Sequence, residues 1–121
     1  MSFLTKFHFP KSARIRKRAE FVYLSKNGQK LRNEHFIAAV GPGRSNQTRL
    51  GITVTRKTGC AVARNRIKRI TRECFRLNRH LIQGIWDMNI IARNDVADQS
   101  SKIVFASLER IFNKLAKDCR Y

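Results

Sequence analysis

A chain of 121 residues has room for one hydrophobic core, and 42% hydrophobic content predicts that it folds rather than staying disordered. Its net charge of +18 lies far above the magnitude of about 2–8 that keeps a small domain soluble, so a polyanionic partner is expected, nucleic acid foremost. No apolar run nears the roughly 18 residues of a membrane span, and residues 1–10 lack the apolar stretch and small-residue cleavage site of an export signal. A cytoplasmic protein with no membrane partner is the expectation.

The charge is unevenly spread. Residues 1–86 hold 20 Lys and Arg against three acids, Glu20, Glu34 and Glu73, whereas residues 87–121 hold six against five. In chain order, residues 1–16 read as a basic, partly irregular arm, because Pro10 lacks an amide hydrogen and disfavours helix before it. A first helix is expected over 17–26, with Phe21 and Leu24 on one face and Asn27-Gly28 as its stop. The apolar run 35–40, ended by Gly41-Pro42-Gly43, predicts a strand and a turn. The β-branched run 50–55 predicts a second strand, joined to the first by the loop 43–48 as a hairpin-like connection.

A long helix is expected over 62–81 and a third strand over 88–93, after a turn near Gly84. The last helix, about 100–117, carries Val104, Leu108, Ile111 and Leu115 on one stripe with Phe105 and Phe112 beside it, and Asp98, Ser100 or Ser101 as its cap. The sum is a single α+β domain over residues 1–121, a small sheet covered by helices. The cysteines Cys60, Cys74 and Cys119 are odd in number and form no CxxC pair, which predicts reduced thiols rather than disulfides or a zinc site.

The long helix carries the functional argument. Ala63, Ile67, Ile70, Cys74, Leu77 and Leu81 recur at spacings of three and four, predicting a stripe toward the core. At about 100° per residue, Arg64, Lys68, Arg69, Arg72, Arg76 and Arg79 fall on the opposite arc, with Asn65 in its middle and Arg66 near the edge of the apolar stripe. Like charges four residues apart repel by a few tenths of a kcal/mol per pair. Such a face is tolerated when a polyanion neutralises it, and guanidinium suits phosphate because it binds two oxygens at once. A plain solvated face and a membrane-surface helix are the competing readings of the same pattern.

The run Gly51-Ile52-Thr53-Val54-Thr55-Arg56-Lys57-Thr58-Gly59-Cys60-Ala61-Val62-Ala63-Arg64-Asn65-Arg66-Ile67-Lys68-Arg69-Ile70-Thr71-Arg72-Glu73 resembles the signature of the bacterial ribonuclease P protein family. Phe9-Pro10-Lys11, Arg14-Ile15, Glu20-Phe21 and Ile90-Ile91-Ala92-Arg93 extend the resemblance over nearly the whole chain. It implies a mixed four-stranded sheet packed with helices, like the second domain of ribosomal protein S5, with a left-handed βαβ crossover. It further implies a protein subunit that binds a catalytic RNA and the single-stranded 5′ leader of precursor tRNA. In that family, removal of the leader is carried out by the RNA with bound Mg2+, and no obligate protein partner is implied.

Carried over onto this chain, the RNA-binding residues are Arg14, Phe21, Lys57, Arg64, Asn65, Arg66, Lys68, Arg69 and Arg72, and the basic arc adds Arg76. Phe21 is either a stacking platform for a leader base or a core residue. Ser25 and Ala39 stand where some members carry aromatics, which implies a thinner, more electrostatic leader contact. A generic ribosomal-type RNA-binding module is the alternative on charge alone. The acids show no metal-ligand spacing, and His8, His35 and His80 are scattered, so no catalytic residue is expected in the polypeptide itself.

Overall fold

Residues 86–92 combine Trp, Met and Ile with one charge, the pattern of a strand covered on both faces. The computed structural model describes residues 11–118. It has helices α1 (Arg18–Asn27), α2 (Ala61–Asn78) and α3 (Ser101–Asp118), and strands β1 (Gln29–Arg32), β2 (Phe36–Pro42), β3 (Arg49–Thr53) and β4 (Trp86–Ala92). The sheet order is β1-β2-β4-β3, so the apolar β4 is interior. It pairs antiparallel with β2, Phe36 opposite Ala92 and Pro42 opposite Trp86, and parallel with β3, Arg49 opposite Asp87. The parallel pair is joined through α2.

Two sequence expectations change here. The loop 43–48 is not a hairpin turn, because β4 separates β2 from β3 and the loop must step over it, roughly two strand spacings or 10 Å. Alternating apolar residues fix which face of a strand is buried, not which strand lies beside it. The loop is tied to the start of β4. Gly43 N–H donates to Ile85 O at 2.9 Å, Thr48 Oγ1 donates to Gly84 O at 3.3 Å, and Trp86 N–H donates to Thr48 Oγ1 at 3.2 Å. The true hairpin joins β1 to β2. β1 has only Leu31 buried among polar neighbours, so its sequence gives little strand signal, and its Lys30 and Arg32 suit an edge.

The main core lies on the sheet face lined by Phe36, Ala38, Val40, Met88 and Ile90, against α2 and α3. From α3, Val104, Leu108, Ile111, Phe112 and Leu115 are all buried, as the stripe predicts, and Ser100 Oγ accepts from Ile103 N–H at 3.3 Å as its cap. In α2 the buried set is Ile67, Thr71, Cys74, Phe75 and Asn78, whereas Leu81 is 46% exposed in the 3-10 turn Arg79–Leu81. The helix is rolled relative to the expected stripe so that Phe75, its largest apolar side chain, meets Phe112 with ring centroids 5.9 Å apart. The polar residues drawn inward bond their own helix: Thr71 Oγ1 donates to Ile67 O and Asn78 Nδ2 to Cys74 O, each at 2.8 Å. The other sheet face carries a smaller core of Ile15, Leu24 and Ala39 beneath α1. Among the described residues no helix is long and apolar enough to cross a membrane. Expectations placed on residues 1–10, including Phe9, Pro10 and His8, and on Cys119 lie outside the described residues.

Candidate nucleic-acid interface

α1 has few buried side chains of its own, so what fixes it matters for any site it borders. An ion network does part of this. Arg49 on β3 donates through Nε to Asp87 Oδ1 at 3.0 Å and through a terminal nitrogen to Asp87 Oδ2 at 2.8 Å. The same terminal nitrogen reaches Glu20 Oε2 on α1 at 2.6 Å. Asp87 is 3% exposed. Its bonds to Arg49, with those of Glu20, hold the Arg49 guanidinium charged well beyond its usual range, despite partial burial. A second anchor is shape. A Cβ on Gly51 would come within 2.5 Å of the Phe21 ring, so the ring lies directly on the strand at a residue with no side chain.

The anchored helix leaves part of the sheet face uncovered. An open cleft of about 610 Å³ runs between α1, the end of β3, the middle of β4, and α2. Phe21 and Val22 line it from α1, Thr53, Asn89 and Ile91 from the sheet, and Lys68 from α2. A smaller hollow of about 280 Å³ adjoins it, shares Phe21 and Lys68, and adds Arg14 and Arg72. Arg14 is held by a backbone bridge to Leu50, with Ile15 N–H donating to Leu50 O at 2.8 Å. Burial, then the charge of Arg14, push the Arg72 guanidinium below its usual value, which places two cations side by side at this end. Apolar and aromatic walls with cations along the rim suit an unpaired strand, whose bases stack while its phosphates meet the charges.

The remaining sequence-chosen residues divide into groups. Asn65 and Arg69 are exposed on the outer face of α2, and Lys57 is exposed in the 3-10 turn Arg56–Thr58 that leads into that helix. Arg64 is half-buried, and its Nε is buried without a hydrogen-bond partner. Arg76 pairs with Glu73 and is the one α2 cation with a carboxylate partner among the described residues. Arg66 points away from the arc and donates to Gln99 O ahead of α3, as its place near the apolar edge foreshadows. Ser25 borders the cleft, while Ala39 is fully buried under α1.

Sequence reasoning missed Arg49 and Asn89. Arg49 looks like one more cation of a basic chain, and only the fold sets it between Asp87 and Glu20. Asn89 had a readable signal: a lone amide inside the apolar run 88–92 is out of place in a strand covered on both faces. Four acids among the described residues are engaged by arginines, Glu20 and Asp87 by Arg49, Glu73 by Arg76, and Glu34 by Arg110 at 2.9 Å. Among the described residues no group of three His, Cys, Asp or Glu could hold a metal ion. Cys74 is buried, which pushes its thiol up to about 12, whereas Cys60 is exposed at the start of α2, where the amides of Ala63 and Val62 lower it.

Comparison with known proteins shows the family. The family profile described as Ribonuclease P matches residues 9–116. The ribonuclease P protein component of Desulfatibacillum aliphaticivorans is 43% identical over 115 residues, covering 95% of this chain and 98% of that one. That of Desulforapulum autotrophicum is 46% identical over 111 residues, covering 92% and 95%. Among solved structures, the Staphylococcus aureus RNase P protein superposes with a TM-score of 0.80 at 34% identity, covering 86% of this chain and 95% of that one. The Thermotoga maritima RNase P protein gives 0.75 at 32% identity, covering 84% and 96%. The cation-rimmed cleft and the Arg-rich helix beside it therefore belong to a member of the ribonuclease P protein family, the RNA-binding protein component of that tRNA-processing enzyme.

Proposed function

We propose that the chain uses two adjoining surfaces. The outer side of α2, with Arg64, Asn65, Arg69 and Arg76, together with Lys57 ahead of it, meets the catalytic RNA; Arg66 supplies its remaining donors at the margin. The cleft, with Phe21, Arg14, Lys68 and Arg72, holds the 5′ leader of precursor tRNA. One observation carries this reading: an aromatic ring and at least three cations converge on an open groove of about 610 Å³, beside a cationic helix. An aromatic wall suits unpaired nucleotides, whose bases are free to stack on it, rather than a duplex whose bases already stack on one another.

Bond cleavage belongs to the RNA and the Mg2+ that it binds. The polypeptide neutralises phosphates and orients the leader, and the engagement of Glu20, Glu34, Glu73 and Asp87 in ion pairs supports that division of labour. A single RNA-binding domain over residues 1–121, working in the cytoplasm with RNA as its partner and no obligate second protein, is the arrangement proposed. Reconstitution tests it. Adding the protein to the cognate RNA subunit at low magnesium is expected to restore cleavage of precursor tRNA to a mature 5′ end. An unchanged rate would overturn the reading.

A further inference from the structure

Resting on the assignment of the cleft to the leader, we infer that Asn89 reads the edge of one leader base, so that the cleft has a nucleotide preference at that position. Asn89 lies in the middle of β4, on the sheet face that α1 leaves partly open. Its neighbours across the sheet are Ala39 on β2 and Gly51 on β3, two of the smallest residues available. They leave the amide room that larger side chains would fill. Phe21 lies on Gly51, immediately beside it.

The amide is held, and half of it is free. Thr53 Oγ1 donates to Asn89 Oδ1 at 3.1 Å, which fixes the side-chain plane with Nδ2 turned the other way. Asn89 is only 4% exposed. Its Nδ2 has no hydrogen-bond partner among the described residues, and the residue lines the cleft. Nδ2 is not among the buried unpartnered polar atoms, and Thr53 and Asp87 share its sheet face, so the amide is placed to meet a partner that enters through the cleft. A base stacked on Phe21 turns its edge toward the strand next door, where Nδ2 can donate to a ring nitrogen or carbonyl. Oδ1 keeps one lone pair for an amino group. Lys68 stands on the opposite wall, placed for the adjoining phosphate.

The test is a base scan along the leader of a precursor tRNA, with affinity measured for the reconstituted holoenzyme. Wild-type protein is expected to distinguish bases at one leader position by about three- to tenfold, the scale of a single neutral hydrogen bond. Asn89→Leu and Thr53→Val are each expected to erase that preference while affinity for leaderless tRNA stays unchanged. If Asn89→Leu keeps the same base preference, the inference is overturned, while a leader that still adds affinity leaves the cleft assignment standing. If the leader adds nothing to wild-type affinity, the cleft assignment falls and takes the inference with it. Should Asn89→Leu fail to fold, Thr53→Val decides alone: an intact base preference overturns the inference and a lost one supports it.

Discussion

Phe21 is a half-buried ring that lies against Gly51 and lines the cleft. Sequence alone left two roles open for it, platform or core, and the structure packs it against the small core of Ile15, Leu24 and Ala39 and along the wall of the cleft. Replacing it by Ala removes a stacking surface worth about 1–3 kcal/mol per base. Affinity for precursor tRNA with a leader is therefore expected to fall by about five- to a hundredfold, with leaderless tRNA affected far less. Binding measured with both RNAs checks this; an equal loss on both would leave only the packing role. Asn89 belongs to the same scale. An amide in a covered strand can be read directly from sequence, but its proximity to Phe21 cannot, because 68 residues separate them in the chain.

At the scale of elements, α1 is held mainly by what it touches rather than by its own apolar stripe. The Glu20–Arg49–Asp87 network joins it to β3 and β4 and so fixes its seat on the sheet. Asp87→Asn leaves a partly buried guanidinium short of a charge partner and is expected to cost about 3 kcal/mol, at the lower end for breaking a buried pair. Denaturant unfolding gives the direct measurement, and a cost below about 0.5 kcal/mol would mean that the pair behaves as a surface ion pair. The long helix shows how far pattern reasoning reaches. Its extent and its cationic side were legible, because both follow from spacing of 3.6 residues per turn. Its roll was not. Thr71 and Asn78 turn inward because their side chains bond Ile67 O and Cys74 O, and this frees the helix to bury Phe75 against Phe112.

For the whole molecule, a net charge of +18 is offset by few ion pairs among the described residues, where most of α2's cations have no carboxylate partner. Self-repulsion of this kind destabilises the free protein and is screened by salt. The melting temperature of the isolated protein is expected to rise as salt increases from about 0.05 to 0.5 M, since the Debye length falls several-fold over that range. Thermal melts followed by circular dichroism test this. A falling melting temperature would mean that the Arg49 network and the other ion pairs outweigh the repulsion. The same surplus of charge that weakens the free chain drives its association with RNA, through release of counterions from phosphates.

The sequence by itself determined the α+β class, the three helices, three of the four strands and the cationic side of α2, because each rests on local periodicity or composition. It also carried the family resemblance, because the basic motif is contiguous. Only the tertiary structure decided that β4 lies between β2 and β3, that Arg66 turns to Gln99 and Arg49 to two acids, and that Phe21, Asn89 and Lys68 share one groove. Those outcomes depend on which distant segments bury one another, and a local pattern records the face a residue needs but not the partner it meets.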